Sequence, residues 1–188
     1  MPLPRSPLRA PHRSDARRNR AAIMRAAGEQ VALGRPMPSL RQLADATGLG
    51  QATVYRHFSD RRALLLAVTR EQVAVLRRVA ERDADDPAAF RALLRGVLVH
   101  QVSMRPLVDE LRRLPRPDQL GQVRGLLDAL RAPFARSQAA GHLKGDVVLD
   151  DLPIVFTMLQ AAVDSAPDPG TARRAIPVLL DGLFHARP

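Results

Sequence analysis

The chain has 188 residues, 46% of them hydrophobic and 3% aromatic, and carries a formal net charge of +10. That length allows one domain, or a small one joined to a medium one, with a core filled mainly by Leu, Val and Ala. The absence of Cys excludes disulfides and thiolate metal sites; with no apolar run long enough for a membrane span and no signal-peptide apolar segment in the Pro- and Arg-rich N-terminus, the chain reads as cytoplasmic, with no membrane partner.

The charge is unevenly spread. Residues 1 to 62 hold twelve Arg against Asp15, Glu29, Asp45 and Asp60. Lys144 is the only lysine, so a general preference for Arg explains Arg over Lys, but it leaves the clustering unexplained. A concentrated basic surface predicts a polyanion partner, since neutralising phosphates releases counterions. Period-two runs of β-branched residues are missing, whereas apolar residues recur at spacings of three and four among Ala, Leu and Arg. The predicted fold class is therefore all-α, with about nine helices.

Met1 to Ser14 is rich in Pro, includes Arg5, Arg9 and Arg13, and has no apolar periodicity, which predicts a disordered basic arm over residues 1 to 14. A first helix should run from Asp15, capped by Ser14, to about Leu33, with Ile23, Ala26, Ala27 and Val31 inward and Gly34 closing it. Arg17, Arg18 and Arg20 lie in its first turns, where the helix dipole disfavours positive charge. Phosphate contact would give them a purpose, and ordinary solvation is the other reading.

Ser39 to Phe58, SLRQLADATGLGQATVYRHF, reads as two short helices meeting at a turn. Ser39 stands at an N-cap position with Gln42 placed to complete a capping box, and Leu40, Leu43 and Ala44 follow at helical spacing. Gly48 can adopt the left-handed conformation that ends a helix, and Val54 and Phe58 then lie four apart on the next. Two helices joined so tightly form a helix-turn-helix, whose second helix enters the major groove of DNA.

Ser59 is the predicted cap of a long helix reaching about Arg82, with Leu64, Val68, Val75, Leu76 and Val79 on its apolar side. DADDP, ending at Pro87, then offers a cap at Asp86. The helix-turn-helix domain is thus assigned to 15–62, and a helical bundle to 63–188. In the latter, Phe90 to Val102 forms one apolar stripe, and Arg105 to Leu114 makes a short helix stopped by Pro115 and Pro117. Asp118 should cap the following helix, Pro133 should interrupt it, and Gly141 should end it. Asp150 is a further predicted cap, and Pro177 should either kink the last helix or delay its start.

Across Ile23 to Leu65 the chain resembles the TetR family of transcriptional regulators. The match is carried by AA in the first helix, LADATGL, TVYRHF and SDRRALL. AGHLKGDVVLDDL, later in the chain, resembles a connection before the penultimate helix of such regulators. The resemblance implies that Thr53, Tyr55 and His57 touch phosphates or position the recognition helix, that Arg61 stands where a Lys reaches a phosphate, and that Arg41, Gln51 and Ala52 read bases. Pro36, Met37 and Pro38, preceding the cap, depart from the family pattern and predict a stiffer entry.

A regulator of this kind is expected to bind a double-stranded DNA operator, to form a homodimer and to respond to a small-molecule effector. The stripes Val155, Leu159 and Ala162, and Leu179, Leu180 and Leu183, are the candidate dimer surface, with core filling as the competing reading. Leu94, His100, Met104, Leu127, Phe134 and Met158 are the candidate effector pocket. The His residues are isolated, with no HExxH pair, Gly-rich phosphate loop or nucleophile elbow, so no metal site, cofactor or enzymatic activity is predicted. The alternatives are a non-specific architectural DNA binder, using the same basic third without base readout, and a helical enzyme or small-molecule carrier.

Overall fold

The computed structural model describes residues 13–165 and 168–185. Among these residues the chain forms nine α-helices: α1 (Arg13–Ala32), α2 (Leu40–Thr47), α3 (Gln51–His57), α4 (Arg61–Arg82), α5 (Ala89–Ser103), α6 (Arg105–Arg112), α7 (Arg116–Ala139), α8 (Leu152–Ser165) and α9 (Pro169–Leu183). A 3-10 turn at Leu149–Asp151 leads into α8. The all-α expectation holds. Residues 1–12 of the predicted basic arm lie outside the described residues, and Arg13 and Ser14 already belong to α1, so Ser14 does not cap that helix.

Local chemistry sets most helix ends. The Ser39 hydroxyl accepts from the Gln42 N–H at 3.2 Å, and the Gln42 side chain accepts from the Ser39 N–H at 2.8 Å, completing the capping box that starts α2. Gly48 closes α2 with φ of 68°, a left-handed conformation that costs a side-chain-bearing residue its Cβ clearance. The cap of α4 is Asp60, not Ser59: its carboxylate accepts from the Ala63 N–H at 2.7 Å, an ionised acceptor at the positive end of the helix dipole. Asp151, not Asp150, accepts from the Val148 N–H at 2.8 Å before α8. Asp118 falls inside the first turn of α7, one residue after Pro117, instead of capping it.

Neither internal proline ends its helix. α7 is continuous from Arg116 to Ala139, with Pro133 buried inside it, so the lost backbone donor is accompanied by apolar packing. α9 begins at Pro169, ahead of Thr171, and runs through Pro177.

Two apolar cores result. In the first, Ile23, Ala27 and Val31 of α1 meet Leu40 and Leu43 of α2, Val54 of α3, Phe58, and Leu64, Leu65 and Val68 of α4. Met104 and Leu107, at the start of α6, belong to this same core, so it extends past residue 62 into the part of the chain assigned to the second domain. The second core joins Phe90, Leu94 and Leu98 of α5 to Leu130 and Phe134 of α7, Leu152 and Leu159 of α8, and Ile176 and Leu180 of α9. Phe90 meets the ring of Phe134 edge-on at 5.7 Å and that of Phe184 at 5.8 Å. Burying each such side chain is worth roughly 1.5–3 kcal/mol.

Candidate nucleic-acid interface

α3 has one inward residue, Val54, which is fully buried under α1 and α2, and Phe58 anchors the chain just past its end. Helical geometry then fixes what faces out. Gln51, Ala52, Tyr55 and Arg56 are exposed, and Thr53 and His57 flank them half-buried. Tyr55 keeps half of its surface in solvent, so its ring is not consumed by packing on α1. Arg41 is exposed on α2. The predicted contact residues of α2 and α3 are therefore accessible to solvent, Thr53 and His57 in part.

Two relevant side chains were not among the predicted contacts. Arg56 lies four residues after Ala52, on the same exposed face, and donates to the Thr53 hydroxyl at 3.0 Å. Counting i, i+4 from Ala52 would have found it. Arg20 of α1 places its guanidinium 4.5 Å from the centre of the Phe58 ring and donates to the His57 carbonyl at 3.4 Å. It therefore braces the C-terminal end of the recognition helix, by cation–π contact and by meeting one of the carbonyls left open there. Neither predicted reading of Arg20, phosphate contact or plain solvation, includes this brace.

Arg61 is held by the bundle. Its Nε and one Nη donate to the two carboxylate oxygens of Glu110 on α6, at 3.1 and 2.7 Å. Arg62 makes the equivalent two-point pair with Asp118 of α7, at 2.6 and 2.9 Å. The hydrogen bond from Arg62 and its positive charge hold the Asp118 carboxyl below its usual range, and the same hydrogen bond with the negative charge of Asp118 raises the pKa of Arg62.

The six candidate effector residues do not converge. Leu94 and Phe134 are packed in the second core with Leu127 against them, whereas Met104 is in the first core. His100 is exposed on α5, with its imidazole lowered from its usual range by partial desolvation, and Met158 is 54% exposed on α8. A cleft of about 430 Å³ lies instead between α5 and α9, walled by Arg91, Arg95, Pro177, Leu180 and Asp181.

The candidate dimer stripe also points the other way. Val155, Leu159, Leu180 and Leu183 are buried within the chain's own second core, and Ala162 and Leu179 are half-buried. The outward face of α8 and α9 carries Ile154, Met158, Ala161 and Val178 instead; Ile154 is 57% and Val178 is 70% exposed. Both faces of α8 carry apolar residues, so periodicity alone did not distinguish them.

A short exposed helix braced by two others, on a compact basic domain continuous with a helical bundle, defines a helix-turn-helix DNA-binding protein. Residues 23–68 match the model for bacterial regulatory proteins of the tetR family. Over its whole length the chain is similar to a TetR transcription regulatory protein from Mycobacterium vanbaalenii, at 26% identity and a TM-score of 0.65, covering 93% of this chain and 99% of that one. It is similar to the TetR transcriptional regulator SCO0520 from Streptomyces coelicolor at 25% identity and a TM-score of 0.64, covering 88% and 98%. It shares the fold of RolR, solved in complex with resorcinol, at 19% identity and a TM-score of 0.64, covering 92% and 91%. No curated protein sequence matches the chain. Residues 23–68 thus form a tetR-type DNA-binding domain within the fold of TetR regulators, and the chain is a DNA-binding transcriptional regulator.

Proposed function

We propose that the protein is a cytoplasmic, homodimeric, effector-responsive repressor that reads a pseudo-palindromic operator with two copies of α3. The observation that carries this reading is the face of α3: Gln51, Ala52, Tyr55 and Arg56 are exposed together, while Val54 and Phe58 hold the helix rigidly from behind. In this reading Gln51, Ala52 and Arg41 meet base edges, and Thr53, Tyr55, His57 and Arg56 meet or position the backbone. No catalytic step is assigned to the chain.

Surface chemistry supports the dimer. Ile154, Met158 and Ala161 form a stripe at helical spacing on α8, beside Val178 on α9, and an isologous contact would cover both copies of it. Met158→Glu with Ile154→Glu places carboxylates on that surface and should leave a folded monomer in sedimentation equilibrium. An unchanged dimer would move the interface elsewhere.

Small-molecule response is supported by the shared fold of RolR, a resorcinol-binding protein, and by an effector's ability to favour a dimer with its heads wrongly spaced. Selection from random duplexes tests the central reading. A palindromic motif with half-sites about one helical turn apart, or a small multiple of that, is the expected result. Recovery of no motif, with Gln51→Ala and Arg41→Ala weakening all duplexes alike, would favour the architectural alternative instead.

A further inference from the structure

Two side chains at the start of α4, directly after the recognition helix and its Phe58 anchor, are neutralised by carboxylates from the bundle. The Glu110 carboxylate is recessed, with its side chain 18% exposed, whereas the Arg61 side chain paired with it is 44% exposed. Arg61 is therefore within reach of an anion arriving from solvent, while Glu110 has little water to fall back on. The Nε and Nη edge that grips Glu110 is one of the two edges by which a guanidinium makes a two-point contact with a phosphate. One edge cannot serve both acceptors at full strength.

We propose that Glu110 is an affinity-setting residue that competes with the DNA backbone for Arg61, so that operator binding exchanges an intramolecular carboxylate for a phosphate. The inference rests on the DNA-binding reading above and deepens it. The exchange has two consequences. It lowers the affinity below what the basic head alone would give, because part of each Arg61–phosphate gain is offset by the loss of the Glu110 pair. It also couples DNA to the bundle, because occupation of Arg61 by phosphate releases α6 from α4. α6 is tied on another side to α8, where Asp164 accepts from Arg105 at 2.7 Å and from Arg112 at 3.4 Å. Release at Glu110 therefore acts on a helix already joined to the face proposed for dimerisation.

The neighbouring pair supplies the comparator. Arg62 and Asp118 also tie α4 to the bundle, through α7, and Asp118 is 14% exposed. Cutting that tie loosens the head without freeing Arg61.

The test is fluorescence-anisotropy titration of the full-length protein with a selected operator duplex and a random-sequence duplex over a salt series. Glu110→Gln keeps the shape and removes the charge. It should tighten binding of both duplexes about three- to tenfold near 0.1 M salt and steepen the plot of log K against log salt by about 0.9 per Arg61 engaged. Arg61→Lys keeps the charge but cannot keep the two-point pair, and should shift the slope in the same direction. Arg61→Gln combined with Glu110→Gln should show no gain over Arg61→Gln, and Asp118→Asn should leave the slope unchanged.

Weaker binding by Glu110→Gln, or an unchanged slope, would show a bracing pair only and overturn the exchange. So would an equal steepening by Asp118→Asn, which would report net charge alone. Wild-type protein that binds no duplex at low salt overturns the DNA-binding reading and this one together. Wild-type protein that binds while Glu110→Gln matches it overturns only the exchange.

Discussion

Arg20 separates bracing from DNA contact more sharply than any other residue of the head. Its guanidinium stands 4.5 Å from the centre of the Phe58 ring and makes a long hydrogen bond, 3.4 Å, to the His57 carbonyl. Because Arg20 is exposed, the cation–π contact is worth about 0.5–1 kcal/mol, and the long hydrogen bond adds less than a typical one. Arg20→Ala should therefore destabilise the protein by about 1 kcal/mol in urea unfolding and, by letting the end of α3 fray, weaken operator binding roughly fivefold. Arg20→Lys is the informative variant. It keeps the charge, so a phosphate contact would survive, but an ammonium loses the planar stack on Phe58 and most of the brace with it. The bracing account predicts that Lys loses nearly as much stability and affinity as Ala, with the salt slope unchanged in both. If Lys behaves like the wild type while Ala flattens the slope by about 0.9, Arg20 is a phosphate ligand and the reasoning is refuted.

Ser39→Ala removes one half of the capping box and should lower stability by about 1 kcal/mol, read as a shift of the urea midpoint with little change in slope. Gly48→Ala forces a Cβ into the left-handed region at φ 68° and should cost about 1–2 kcal/mol by the same measurement, with Gly48→Asn milder. No neighbouring atom obstructs a Cβ there, so the penalty should be wholly conformational; a neutral Gly48→Ala would contradict it. Asp118 has its folded pKa depressed below its ordinary 3.8 by Arg62, so its stabilisation is complete above that unfolded value and is lost as pH falls through the lower folded one. The stability gap between wild type and Asp118→Asn should accordingly stay constant down to about pH 5 and close in more acidic urea titrations. A gap that persists undiminished after protonation would mean the pair's charge is not what matters.

How much was readable from the sequence depends on the range of the interaction. The capping box at Ser39, the left-handed Gly48 and the inward Val54 and Phe58 are local, each decided within a few residues, and the helix-turn-helix followed from them. So did the accessibility of Gln51, Ala52 and Tyr55, since a short helix with one buried position has its other faces determined by geometry. Local rules misjudged cases in which two neighbours compete for one role. Asp60 displaced Ser59 as a cap because an ionised carboxylate is the stronger acceptor at a helix N-terminus, and Asp150, predicted as a cap, lies inside a 3-10 turn whose last residue, Asp151, accepts from the Val148 N–H. Pro133 and Pro177 stayed inside their helices; for Pro133, the surrounding core outweighs one missing backbone donor.

By itself, then, the sequence determined the all-helical class, the helix-turn-helix and most of the exposed face of α3, because periodicity, caps and charge are properties of adjacent residues. Only the tertiary structure decided what the distant partners do. It turned Val155, Leu159 and Leu180 inward and left Ile154, Met158 and Val178 outside, a choice between two apolar faces that helical spacing cannot make. It scattered the predicted effector residues between two cores and the surface. It also brought Glu110 to Arg61, 49 positions apart in the chain, and Asp118 to Arg62, 56 apart, and so placed carboxylates from the bundle on the cations beside the recognition helix. Charge pairing over such separations leaves no mark in local sequence, because the folded path between α4, α6 and α7 alone sets which carboxylate meets which guanidinium.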